Sequence, residues 1–160
     1  MQLISITKDN AVAAFNNADD KGKTLLSNLL GKDTFEKQIK SYQDIFSFED
    51  ACKVTGDDPK SKYDSSCNCK RSYTPDEKWE IIVKAYNPTD WKASYVDSNQ
   101  KKWYPWFRYD GALGRFVFNH SYYDNSHADA GTGVRRTFSC KEHSDDAGKK
   151  FESLINEIIN

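Results

Sequence analysis

Residues 103–119, with the sequence WYPWFRYDGALGRFVFN, decide how this chain folds. Seven of these side chains are aromatic, and they fall into two runs separated by residues 110–114, DGALG. Aromatic and β-branched residues favour strands, and a short segment with Asp and Gly between two such runs favours a turn. The stretch therefore predicts a β-hairpin. Pro105 has no N–H to donate, so we expect the first strand to lie at a sheet edge or to pair only after this residue.

The sequence before the hairpin contains the start and stop signals of five helices. The clearest signal is residues 74–77, TPDE, where Thr74 is the N-cap, Pro75 takes the first helical position and Glu77 completes a capping box. The helix that follows carries an apolar stripe with helical spacing, formed by Trp79, Ile82, Val83 and Tyr86. The five predicted helices cover about residues 8–17, 19 or 20 to 30, 34–42, 48–55 and 75–87.

The remaining segments complete an α+β chain. Residues 57–73 and 120–132 are polar and predict loops, whereas 134–139 predict a third strand. Residues 141–159 predict one amphipathic helix. The expected fold has N-terminal helices, a small antiparallel sheet built on the aromatic hairpin, and the C-terminal helix packed on that sheet. We expect helices 75–87 and 141–159 to cover the same face of the sheet.

Length and charge limit the classes of function. The 160 residues predict a single domain, with a helical part at about 1–56, a polar loop at 57–73 and an α+β part at 74–160. A net charge of −1 does not support electrostatic binding of nucleic acid or membrane by the whole protein, although residues 59–115 carry a net charge of +4. No apolar run is long enough to span a membrane, and no signal peptide is recognised. These features predict a cytoplasmic protein.

Four cysteines allow two kinds of chemistry. Without an export signal, the pattern favours free thiols or a metal site over disulfides. The candidate zinc ligands are Cys67, Cys69, Cys140 and His143, but two cysteines separated by one residue chelate poorly, so we expect no bound metal and no cofactor. Cys140 and His143 are also the candidate nucleophile and base, since a helix N-terminus lowers a thiol pKa. Nothing in the sequence marks an orienting acid or an oxyanion hole, so an enzyme is not favoured.

Three blocks of the sequence resemble a family of small uncharacterised proteins from gut Bacteroidota and their phages, including crAss-like phages. The blocks are residues 46–56, residues 102–109 (KWYPWFRY) and residues 133–151, which end in DAGKKF. The resemblance implies a phage or prophage origin and no known activity. The family pattern lacks the Cys67-Asn68-Cys69 triplet and has Ser at the position of Cys140, so a function of these cysteines would be peculiar to this chain.

Binding is the class of function that the pattern favours. Arginines accompany the aromatic hairpin, and Trp and Arg dominate binding hot spots. If Phe107 and Tyr109 face the helices, alternation along the strand turns Trp106 and Arg108 away from them, and the opposite register buries Trp106. We expect a protein partner, from the phage or its host, with single-stranded nucleic acid as the alternative and a zinc-binding or cysteine-dependent function as the second alternative. The candidate binding residues are Trp106, Arg108, Arg115, Arg135 and Arg136.

Overall fold

A computed structural model of the chain describes residues 5–35, 38–94, 96–125 and 136–159. The chain divides between residues 38 and 39 into two compact units. The single domain expected from the length stays a prediction. The first unit contains the helices α1 (Lys8–Asn17) and α2 (Asp20–Leu30), followed by a 3-10 turn. The N-caps of the two helices are Thr7 and Asp19, whose side chains accept hydrogen bonds from backbone N–H groups of the first turn.

The second unit has the predicted α+β composition. After a 3-10 turn (Tyr42–Asp44), its described residues form two antiparallel hairpins and four α-helices, in this order: α3 (Phe48–Thr55), β1 (Lys62–Asp64), β2 (Cys69–Arg71), α4 (Pro75–Tyr86), β3 (Lys102–Asp110), β4 (Arg115–Asp124), α5 (Lys141–Lys150) and α6 (Glu152–Ile159).

Two helices of this unit begin at side-chain caps, one of which is the predicted capping box. Ser47 Oγ accepts a hydrogen bond from Asp50 N at 3.1 Å, and α3 ends at Gly56, whose φ of 78° is left-handed. At the start of α4, Thr74 and Glu77 form the predicted capping box, with distances of 3.3 and 3.0 Å between each side chain and the other's backbone N. Local chemistry therefore determines where these two helices begin.

Among the described elements, α4 contributes the most residues to the core of the second unit, and its predicted apolar stripe is buried. Trp79 is 3% exposed, and Ile82, Val83 and Tyr86 are equally protected from solvent. The helices that pack on α4 are α3, α5 and α6, whereas the β3–β4 sheet packs on α5 and α6. We expected helices 75–87 and 141–159 to cover the same face of the sheet. This expectation is wrong, because the sheet packs on α5 and α6 and α4 packs behind them. The ring of Phe138, on the chain leading to α5, lies against the ring of Trp79 with centroids 5.9 Å apart.

The C-terminal segment is two helices rather than the one predicted. Phe151 separates α5 from α6 with φ of −113° and ψ of 26°, and its side chain is 6% exposed. Helical hydrogen bonds continue across the break, from Phe151 N to Ala147 O and from Ile155 N to Phe151 O. The segment is therefore a kinked amphipathic helix whose apolar face joins the core.

Three other predicted segments differ from the structure. Described residues 38–41 are not helical, because the Asp44 carboxylate accepts hydrogen bonds from Lys40 N and Ser41 N and so competes with a helix. The predicted loop 57–73 contains the β1–β2 hairpin, and strand β4 continues to Asp124 inside the predicted loop 120–132. The start of the predicted strand 134–139 lies outside the described residues, and the described part forms one bridge, between Phe138 and Trp103.

Candidate binding surface

The two strands of the aromatic hairpin pair over their whole length, with one irregularity. Phe107 is opposite Phe118, and Trp106 is opposite His120, so Asn119 has no partner across the hairpin. An extra residue of this kind is a β-bulge. At the tip, the Asp110 carboxylate accepts hydrogen bonds from the backbone N–H groups of the turn, at 2.9 and 3.1 Å. Turn chemistry and bulge together set the register.

The bulge determines which side chains of β4 face outward. Side chains alternate between the two faces of a strand, so regular alternation from Phe118 would point His120 and Tyr122 toward the helices. The extra residue reverses the alternation. Ser121 consequently points inward and is 6% exposed, while His120 and Tyr122 point outward and are exposed.

The inner face of the hairpin lies close against α5. The hydroxyl of Ser121 donates to the hydroxyl of Ser144 at 2.8 Å. One turn later, a Cβ added to Gly148 would lie 2.5 Å from Cδ2 of Phe118 and 2.9 Å from Cβ of Pro105. Only a residue without a side chain fits at this approach.

The free edge of β4 is covered by α6 instead of by another strand. Glu152 Oε1 accepts a hydrogen bond from Phe118 N at 2.8 Å. Asn156 accepts from Phe116 N and donates to Phe116 O, both at 2.8 Å. These two side chains, one helical turn apart, satisfy the backbone groups that an exposed edge strand would leave unpaired.

We call the opposite side of the hairpin the outer face. Trp106 is 53% exposed and Tyr122 is 57% exposed. The described helices that pack on the sheet lie elsewhere, α5 on the inner face and α6 along the β4 edge. The pairing assigns to the outer face the side chains of Tyr104, Trp106, Arg108, Val117, His120 and Tyr122.

Of the four predicted binding residues that the structure describes, it brings two together. Trp106 and Arg108 share the outer face, in the register expected if Phe107 faces the core. The guanidinium of Arg115 lies 3.2 Å from the carboxylate of Glu152, and Arg136 forms an ion pair with Asp76 at the start of α4. Arg135 lies outside the described residues. Sequence reasoning missed His120 and Tyr122, because a bulge has no simple sequence signal.

The outer face carries little charge. Arg108 is its one permanently charged side chain between the two ends of the hairpin, where Lys102 lies opposite Asp124 and Asp110 lies opposite Arg115. Arg108 has no ion pair with any described residue. Lys102 is 2% exposed, and its ammonium group donates to Gln100 O at 2.9 Å. The ammonium group of Lys101 lies over the ring of Tyr123, 4.5 Å from the centroid. The outer face is therefore aromatic rather than basic.

The cysteine chemistry differs from expectation. Cys67 and Cys69 form a disulfide, so the expectation of free thiols is wrong for this pair and neither sulfur is available as a metal ligand. Among the residues described, no three His, Cys, Asp or Glu side chains are grouped to hold a metal ion. Cys140 precedes α5 as its N-cap residue, yet burial raises its thiol pKa, against the expected activation by the helix. Burial also lowers the pKa of His143, whose ring packs on Tyr42.

The structure also contains a groove that the sequence did not predict. An open groove of about 940 Å³ lies between the end of α3, the β1–β2 hairpin, α4 and residues 87–93. Its walls include the rings of Tyr63, Tyr73 and Trp91 and both acidic and basic side chains. The groove residues come from distant parts of the chain, so no local pattern in the sequence indicated it.

Comparisons with known proteins give no further constraint. Neither the models of protein families, nor the curated proteins, nor the solved structures that were searched contain a match to this chain. Within the described ranges, no helix is long and apolar enough to cross a lipid bilayer.

Proposed function

We propose that the protein is a non-catalytic binding protein that recognises a protein partner through the outer face of its aromatic hairpin. The observation that carries the proposal is the exposure of Trp106, 53%, beside Arg108 on a face turned away from α5. Trp, Tyr and Arg are the residue types that contribute most to protein–protein binding. The sheet is held by α5 and α6, so the backbone that presents these side chains is already ordered and loses little entropy on binding.

The charge of the outer face favours a protein over single-stranded nucleic acid. Stacking of bases on exposed aromatic rings would suit Trp106 and Tyr122. Binding of a phosphate backbone, however, requires several cations along the strand path. Arg115 and Arg136 are paired with carboxylates, and Lys102 is buried. One unpaired Arg108 supports an interface hot spot better than it supports a nucleic-acid groove.

The setting that we propose for this interaction is a phage or prophage. It rests on the resemblance of residues 46–56, 102–109 and 133–151 to small proteins of gut Bacteroidota and their phages. In that setting, the partner is a virion protein or a host factor, and the site of action is the bacterial cytoplasm or the virion.

The proposal is tested by crosslinking followed by affinity measurement. A photo-crosslinking amino acid is placed at Tyr122 on the outer face and, as a control, at Tyr109, which is 61% exposed on the opposite face of the hairpin. The variants are expressed in the cell that naturally produces the protein. We expect one crosslinked protein with the label at position 122 and none with the label at position 109.

The partner identified in this way is then purified and its Kd measured. Trp106→Ala and Arg108→Ala together should weaken binding at least about 30-fold, the effect of losing about 2 kcal/mol at a hot spot. Thermal unfolding of the double variant should be unchanged, since both side chains are exposed. A collapsed melt or an unchanged Kd would contradict the proposal. Tight binding of a single-stranded oligonucleotide that weakens steeply with salt would support the nucleic-acid alternative instead.

A further inference from the structure

The Cys67–Cys69 disulfide lies at the solvent-exposed end of the β1–β2 hairpin. Both cysteines are exposed, and one residue, Asn68, separates them. Asn68 has a φ of 52°, in the left-handed region that Asn tolerates better than most side chains. Its side-chain oxygen accepts a hydrogen bond from the hydroxyl of Tyr63. The disulfide is thus part of a small surface structure rather than of the core.

This disulfide contributes little to holding the fold together. The restriction that a disulfide places on the unfolded chain grows with the length of the loop it closes, and this loop is among the shortest possible. The hairpin is anchored by other contacts. Arg71 bonds to Asp64 at 2.6 Å and to Glu77 of α4 at 2.7 Å, and Lys62 reaches the same Glu77 at 2.8 Å. The β1–β2 hairpin therefore has an attachment to α4 that does not involve the sulfurs.

We propose that Cys67 and Cys69 form a redox-active pair that undergoes thiol–disulfide exchange with a dithiol reductant. A thiolate of the reductant attacks one of the two sulfurs, the Cys67–Cys69 bond breaks, and the other cysteine leaves as a thiolate that takes up a proton. The second thiol of the reductant then breaks the mixed disulfide. Two electrons and two protons pass to the cysteine pair, and the reductant becomes a disulfide. Exposure of both sulfurs allows the in-line approach that this exchange requires.

Reduction has a structural consequence for the groove beside α4. Opening the ring releases Asn68 from its left-handed conformation, and Tyr63 loses the position of its hydrogen-bond acceptor. Tyr63 is one wall of the groove. The redox state of the cysteine pair is therefore coupled to the shape of the groove through the contact between Tyr63 and Asn68.

The other two cysteines provide an internal reference for the test. Cys52 is buried and Cys140 is half-buried, and both are free thiols. Alkylation of the unfolded protein, counted by mass spectrometry, should find two thiols in the oxidised protein and four after reduction. Dithiothreitol should reduce the native protein at a rate within about tenfold of the rate in denaturant, because the bond is already accessible. The Tm should fall by less than about 5 °C.

Two further measurements separate exchange from a structural role. The ring resonances of Tyr63 should shift on reduction, while those of buried Trp79 stay in place. In the double variant Cys67→Ser, Cys69→Ser, the Tyr63 resonances should match the reduced protein and no longer respond to dithiothreitol, whereas Cys52→Ser should respond as the parent does. The proposal would be overturned if the disulfide were reduced only when the protein unfolds. A Tm loss above about 10 °C, or Tyr63 resonances that do not change on reduction, would overturn it as well.

Discussion

The hydroxyl groups of Ser121 and Ser144 lie 2.8 Å apart, and both residues are buried between β4 and α5. The contact is possible because two small side chains meet where the helix approaches the sheet. It also lies just beyond the bulge at Asn119, on the part of β4 whose alternation the bulge reverses. Packing of α5 on Ser121 is therefore linked to exposure of His120 and Tyr122 on the other face.

Gly148→Ala should destabilise the protein by about 1–3 kcal/mol, the usual range for overpacking. The added methyl group would lie 2.5 Å from the ring of Phe118 and 2.9 Å from Cβ of Pro105, so the helix and the hairpin must separate. The measurement is urea unfolding. Gly111→Ala is the matched control, since a Cβ there meets nothing within 4 Å, and equal stabilities of the two variants would contradict the close approach.

Asn156→Ala should cost about 1–3 kcal/mol, because it leaves the N–H and C=O of Phe116 without their partner at the edge of the sheet. Urea unfolding measures this loss, and light scattering during refolding should show more association through the uncovered strand. Glu157→Ala changes the neighbouring exposed residue and should stay within about 0.5 kcal/mol of the parent. An equally small loss of stability for Asn156→Ala would show that α6 does not cover the edge of β4.

Glu77→Gln should reduce stability more near neutral pH than in acid. Hydrogen bonds from Arg71, then Lys62, and then the Thr74 backbone N–H hold the pKa of Glu77 well below its usual value of 4.5. A carboxyl group with a lowered folded-state pKa contributes stability above its unfolded pKa, and this contribution is lost as the pH falls below about 4.5.

The measurement for Glu77 is Tm against pH between 7 and 3. The Tm difference between the parent and Glu77→Gln should be largest at pH 6 and above, and it should become smaller as the pH falls. Glu80→Gln, on the same helix, serves as the control because Glu80 has no ion pair with a described residue. A difference between parent and Glu77→Gln that is independent of pH would contradict the role of the charge.

Local sequence determined the elements whose causes are local. Thr74, Pro75 and Glu77 set the start of α4, and residues 110–114 set the hairpin turn, because capping and turn chemistry act within a few residues. Apolar spacing correctly identified Trp79 as a core residue. The same kind of reasoning failed at residues 38–41, where the side chain of Asp44 bonds to the preceding backbone in place of a helix.

Features that depend on contacts between distant segments could not be predicted from the sequence and are visible in the folded chain. The sequence left open which hairpin face is exposed, and the bulge and the packing of α5 answer this by turning Trp106 outward and Ser121 inward. Glu152 and Arg115 are 37 positions apart, so their ion pair, which removes Arg115 from the candidate surface, is not visible in any local pattern. The cysteine pattern favoured free thiols or a metal site, whereas the tight β1–β2 turn brings Cys67 and Cys69 together in a disulfide. Local chemistry determined helix starts and the hairpin turn, and packing between distant segments determined which side chains of the hairpin are exposed and unpaired.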